Sequence, residues 1–163
     1  MAGALPDETT RPTRPVVNLA FSAAIDVGGP IELGTIDDGR ERFIPILGGK
    51  VYGPRLDGII LAAGGDWQTV RADGRTELLA RYFIQATDGT VIAIENPGMR
   101  VATAKVIERI ARGEDVSPAQ YYSGGSPRFR VATGPHDWLR KRVLVARGVR
   151  RPDSLTIDFY TID

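Results

Sequence analysis

Two Asp-Gly pairs, Asp73-Gly74 and Asp88-Gly89, bracket an extended run from Arg75 to Thr87. That arrangement limits the fold more than any other feature of the chain. Asp-Gly between such runs is a strong hairpin signal, because the tightest turns need φ above zero at their central residues. Further turn formers follow the same rhythm: Gly28-Gly29-Pro30, Gly48-Gly49, Gly64-Gly65, Pro97-Gly98 and Gly134-Pro135. Between them lie extended segments at Val16 to Asp26, Glu41 to Leu47, Leu56 to Ala63, Trp67 to Arg71, Thr90 to Asn96, Tyr121 to Thr133, Lys141 to Val149 and Ser154 to Ile162. One stretch reads as a helix, Thr103 to Arg112. Thr103 can cap it, Val106, Ile107 and Ile110 share a face, and Gly113 can end it. The pattern predicts an all-β fold, a single antiparallel β-barrel of about eight to ten strands with one short helix. The last strand can pair with the first, and closure removes exposed edges. Residues 1–15 read as a flexible arm ahead of a barrel domain over 16–163.

Composition narrows the chemistry. The 163 residues suit one domain with a sizeable core. Lys and Arg total 21 against 20 Asp and Glu, a formal net charge of +1. A nucleic-acid partner calls for a basic excess or a clustered patch, so none is expected. The basic group Arg140, Lys141, Arg142, Arg147, Arg150 and Arg151 is broken up by apolar residues and reads as a solvated barrel exterior or a site for an acidic ligand. There is no cysteine and only one histidine, His136, which leaves no thiolate or histidine-rich metal centre. No phosphate loop or dinucleotide fingerprint appears, so no cofactor is expected. The chain has no run long and apolar enough for a spanning helix and no signal-peptide pattern. A cytoplasmic protein without a membrane partner is the expectation.

Which strand face lines the lumen decides the site residues. On Arg75 to Thr87, one register carries Glu77, Leu79, Arg81 and Phe83, and the other Leu78, Ala80, Tyr82 and Ile84. If the first faces inward, Glu77 and Arg81 make an acid/base or anion-gripping pair; if the second does, both are solvated. Asp66-Trp67-Gln68 follows two glycines and suits a ligand wall. Tyr160 stands two residues from Asp158, where a hydroxyl can act as a general acid. The expected catalytic residues are therefore Asp66, Glu77, Arg81 and Tyr160. The expected binding residues are Trp67, Gln68, Asn96, Arg100, Tyr122, Phe129, His136 and Trp138. Arg100 is of the type that grips a carboxylate or enolate oxygen. Tyr121 and Tyr122 point opposite ways, so only one can face the lumen.

Several of these segments occur in a familiar order: Gly64-Gly65-Asp66-Trp67-Gln68, Ala80-Arg81-Tyr82, Thr87-Asp88-Gly89, Asn96-Pro97-Gly98-Met99-Arg100, Tyr121-Tyr122, Pro127-Arg128-Phe129 and Asp137-Trp138-Leu139. From Val16 onward the chain resembles a bacterial and fungal family filed as domain of unknown function 3237. The resemblance implies a small antiparallel β-barrel and little about activity. Two departures stand out. Ser123-Gly124-Gly125 replaces an aromatic-Arg-Thr/Ser run, and Arg140 follows Trp138-Leu139 in place of Asn. The two glycines would widen a pocket mouth.

Three readings follow. The preferred one is a cofactor-independent enzyme that moves protons on a small aromatic or polyketide-like compound, by isomerisation, cyclisation, hydration or elimination. The second is a carrier or sensor barrel without turnover, whose lumen would hold few ionisable groups. The third is a homo-oligomeric interaction module using Thr103 to Arg112 and Tyr121 to Phe129.

Overall fold

The computed structural model describes residues 3–4 and 7–163. Of the expected arm, residues 1, 2, 5 and 6 lie outside the described residues; Asp7 caps a 3-10 turn at Glu8–Thr10 that buries no side chain. The strands are β1 (Val17–Val27), β2 (Ile31–Ile36), β3 (Gly39–Tyr52), β4 (Gly58–Arg71), β5 (Arg75–Ala86), β6 (Val91–Val101), β7 (Tyr122–Gly125), β8 (Arg128–Arg130), β9 (Val143–Arg150) and β10 (Ser154–Ile162). The helix α1 (Ala104–Ala111) follows β6, capped by the Thr103 hydroxyl, which accepts from the Val106 N–H.

All the strand pairs are antiparallel. β1 pairs with β10, Val17 opposite Ile162, and on its other edge with β3, Ala24 opposite Lys50. β7 bridges β6 and β9. Eight strands thereby close into a barrel in the order β1-β10-β9-β7-β6-β5-β4-β3, while β2 lies along β3 and β8 along β6. This is the fold class expected from the turn rhythm.

Alternation then sorts the faces. On β5, Thr76, Ala80, Tyr82, Ile84 and Ala86 are buried, and Arg75, Arg81 and Phe83 are exposed. One end of the lumen is filled by aromatic rings. Phe21 stacks on Phe159 at 4.5 Å, and Phe129 meets both edge-on at 6.2 Å, geometries that suit the ring quadrupoles. Two small enclosed cavities lie toward the other end, where β3 and β5 begin and β4 and β6 finish.

Three expected strand breaks are continuous strand. β3 runs through Gly48-Gly49, β4 through Gly64-Gly65 and β6 through Pro97-Gly98. The first two sit at register shifts, which bend strands around a small barrel. Pro97 falls between the part of β6 that pairs with β8 and the part that pairs with β7, so its missing N–H costs no bond on that edge. β2 was not expected, although Ile31 and Leu33 alternate with Glu32 and Gly34 and Asp38-Gly39 follows; all six of its residues are exposed, so it lies outside the barrel wall.

The glycines differ in what they tolerate. Gly64 has φ +86°, and a Cβ there would collide with the Arg81 carbonyl oxygen of β5; Gly89 has φ +87° but open space around it. Gly89→Ala is expected to cost about 1–2 kcal/mol from its dihedral alone. Gly64→Ala is expected to cost more, because β4 must also shift. Urea midpoints of the two variants check this; equal losses would show that the β4–β5 approach is loose.

Candidate functional site

The open end of the lumen contains two adjoining cavities of about 40 and 20 Å³, which share Asp66, Ala80, Arg100, Leu155 and Ile157 in their walls. On the order of three or four waters would fill the larger one. Glycines keep it open. Gly124, Gly125 and Gly148 line it, and a Cβ on Gly125 would strike the Asn96 side chain. The departure at Ser123-Gly124-Gly125 thus forms part of the cavity wall.

Asp66 sits just past the β4 register shift, opposite Ala80 of β5 and Ile44 of β3, so it points inward. Its Oδ1 accepts the Leu79 N–H at 3.0 Å, and its Oδ2 accepts the Gln68 amide N–H at 2.7 Å. Gln68 in turn accepts the Arg42 Nε–H at 2.9 Å. Arg42 is buried and also reaches the Ala111 carbonyl at 3.5 Å, which ties α1 to this end of the barrel. Burial pushes the Asp66 carboxyl above the ordinary aspartate range, against the opposing pull of Gln68, Arg100 and the Leu79 N–H. The shift favours the acid form, the direction that a general acid requires.

Arg100 of β6 is 3% exposed and lines both cavities. Burial lowers its guanidinium to about 10, so it stays charged at neutral pH. Its side chain makes no hydrogen bond with any described residue, and its Nε is enclosed without a partner. The Tyr82 hydroxyl and Asn96 Oδ1 are also buried without partners, and both residues line this same space. Burial raises the Tyr82 phenol. Tyr121 stands beside this group: its ring centroid lies 6.0 Å from the Arg100 guanidinium, and its hydroxyl accepts the Arg150 backbone N–H at 2.9 Å. Arg150 lines the smaller cavity.

The structure brings together Asp66, Gln68, Asn96 and Arg100 from the sequence expectations. It places the others elsewhere. Glu77 and Arg81 occupy the outer register of β5, where Glu77 pairs with Arg71 at 3.0 Å and Arg81 with Glu95 at 2.8 Å. Tyr160 shares the outer face of β10 with Asp158, opposite in direction to Ile157 and Phe159. Trp67 is 45% exposed and packs outside against Phe43 at 4.8 Å. Tyr122 points outward under Arg147 at 5.0 Å, so Tyr121 is the member of the pair beside the site. Phe129 belongs to the aromatic plug. His136 bonds Asp88 at 2.8 Å, beside the β5–β6 turn, and Trp138 stacks under Arg55 at 3.7 Å. All three lie toward the closed end. Alternation is the reason in each strand case: one residue of offset reverses the face. Arg42, Tyr82, Tyr121, Ser123 and Arg150 were missed as site residues. The more apolar register of β5 was the available signal for Tyr82.

A family model described as "Protein of unknown function (DUF3237)" matches residues 15–162. The chain belongs to this family. A UPF0311 protein of Clostridium acetobutylicum is 40% identical over 143 residues, covering 87% of this chain and 90% of that one. The crystal structure of a conserved protein of unknown function from Rhodopseudomonas palustris superposes with a TM-score of 0.89 at 32% identity, covering 94% of this chain and all of the other. More distantly, a hydroalkoxylation enzyme of Penicillium herquei is 34% identical over 86 residues, 52% of this chain and 56% of its own length. A crystal structure of an enzyme from the same fungus shares the fold, with a TM-score of 0.70 at 20% identity.

The Asp66 carboxyl supplies a stability test. Its raised native pKa means that the folded chain holds this proton more tightly than the unfolded chain does. Stability therefore falls as pH rises from the ordinary aspartate range through the native value. Asp66→Asn removes that loss and keeps an acceptor for Leu79, at the pH-independent cost of the acceptor for the Gln68 N–H. The variant is expected to gain on the wild type in urea melts as pH rises above the ordinary aspartate range. A constant difference across that range would show that Asp66 titrates as an ordinary surface carboxyl.

Proposed function

We propose that this barrel is a cofactor-independent enzyme that takes a small aromatic or polyketide-like compound into its lumen and moves protons on it. One observation carries the reading: a carboxyl raised by burial faces a cavity it shares with an unpaired guanidinium and apolar walls. Perturbed acids beside a specific charge partner are a mark of working sites. A lumen built only to carry a ligand has no need of four ionisable side chains, Asp66, Arg42, Arg100 and Arg150, at one end.

Among isomerisation, cyclisation, hydration and elimination, ring closure by addition of an O–H across a double bond is favoured, because a distant relative bears the name hydroalkoxylation enzyme. Asp66 in its acid form gives a proton to one alkene carbon. The substrate oxygen forms its bond to the other carbon, and the hydroxyl proton returns to the carboxylate. One C–O and one C–H bond replace the O–H bond and the π bond, with no oxidant consumed. Arg100 steadies charge on a conjugated carbonyl or phenolic oxygen as it develops. A substrate body larger than a few atoms enters by displacing water and turning Leu78 and Leu155, which line the larger cavity.

Incubation with ortho-alkenyl phenols and cyclic ketones in D2O, read by mass spectrometry, tests the reading. Deuterium uptake or ring closure is expected with the wild type. Asp66→Asn is expected to lower it by about 100-fold or more, the scale of a lost general acid, while keeping the native near-ultraviolet spectrum. Saturable binding with every compound recovered unlabelled and unchanged would favour the carrier instead.

A further inference from the structure

The charges at the open end do not balance. Arg42, Arg100 and Arg150 gather around a single inward acid, Asp66, and the three guanidiniums disfavour one another's charge. Glu32 and Asp153 act on Arg42 and Arg150, but both are exposed. Two of the arginines also have fixed hydrogen-bond partners. Arg42 holds Gln68 and the Ala111 carbonyl, and Arg150 holds the Arg151 and Ser154 carbonyls. Arg100 has none among the described residues. Asp66 does not pair with it; its oxygens are taken by Leu79 and Gln68.

A buried cation without a partner is costly, and water in the cavity would hydrate it without neutralising it. The missing component is negative. A planar guanidinium fork matches a carboxylate, which accepts two parallel N–H bonds. Size agrees as well: a cavity of about 40 Å³ takes the few heavy atoms of such a head group without rearrangement. Leu78, Ala80, Leu155 and Ile157 offer the adjoining apolar wall.

We infer that the lumen takes an organic carboxylate, its head group on the Arg100 guanidinium and its apolar body against Leu78, Leu155 and Ile157. The inference rests on the lumen being the working site proposed above and names the class of compound it accepts.

The test is NMR of the arginine Nε–H groups in 15N-labelled protein. Sodium acetate and sodium benzoate are titrated against acetamide and benzamide, at ionic strength held with sodium chloride. The Arg100 signal, identified by its loss in Arg100→Lys, is expected to shift saturably with both carboxylates. Their Kd values are expected to be at least tenfold below those of the matching amides, and Arg100→Lys is expected to weaken benzoate at least fivefold. Should that variant fail to fold, the melting temperature of the wild type decides, with benzoate expected to raise it and benzamide not. Amides that bind as well as carboxylates, chloride that competes equally with benzoate, or no saturable response would each overturn the inference. Benzoate binding kept in Asp66→Asn, with no deuterium uptake in any assay, would sink the proton-transfer reading and leave the carboxylate site standing. Turnover of neutral compounds by a protein that ignores carboxylates would do the reverse.

Discussion

Closure of the sheet through β1 is the constraint on which the rest of the structure depends. With β10 on one edge and β3 on the other, β1 turns a row of hairpins into a tube, and every strand acquires an inside and an outside. Side-chain direction then follows parity alone. Phe159 and Ile157 of β10 go in and Tyr160 and Asp158 go out; Ala80 and Tyr82 of β5 go in and Glu77 and Arg81 go out. A barrel of this size has interior room for little beyond its own side chains. The aromatic plug takes up one end, so small wall residues at the other, Gly125 and Gly148 with Ala80 and Ala146, are what leave a cavity at all.

The fold was legible because its signals are local. Asp-Gly turns state where hairpins reverse, and the helix between Thr103 and Gly113 carries both its cap and its stop. What misled was glycine and proline inside strands. Gly48-Gly49 and Gly64-Gly65 read as ends because tight turns use the same residues, yet here they sit at register shifts where two backbones pass closely. Pro97 read as a stop, but it lies in the gap on β6 between the stretch paired with β8 and the stretch paired with β7. Each distinction depends on a neighbouring strand that a single segment does not reveal.

The site was legible only in part, for a related reason. Asp66 and Gln68 were marked by the glycine pair before them, and Arg100 and Asn96 by the turn formers between them. Glu77 and Arg81 were attractive because charge on a long strand suggests chemistry. On the outside of a barrel, though, such charges need only a neighbour and water, and Arg71 and Glu95 supply the neighbours. Exposed pairs of this kind contribute little to stability. Arg42 carried no local mark and Arg150 only its place in the basic group; their burial depends on α1 and on the β9–β10 turn closing over that end.

The segment Met99-Arg100-Val101 carries the sharpest conflict between local and global preference. Met99 is 44% exposed and Val101 39%, while the arginine between them is 3% exposed. Hydrophobicity alone would choose the opposite register, with the two apolar side chains inward and the cation in water. The rest of β6 forbids it, because Ile92 and Ile94 are fully enclosed with the same parity as Arg100, and a one-residue slip would expel them. Replacing Arg100 by a leucine would relieve the conflict at one stroke. Natural chains are locally consistent except where function sets a competing demand. A buried guanidinium set against both hydrophobic patterning and its own desolvation, with no ion pair among the described residues in return, is the kind of exception that a bound anion explains.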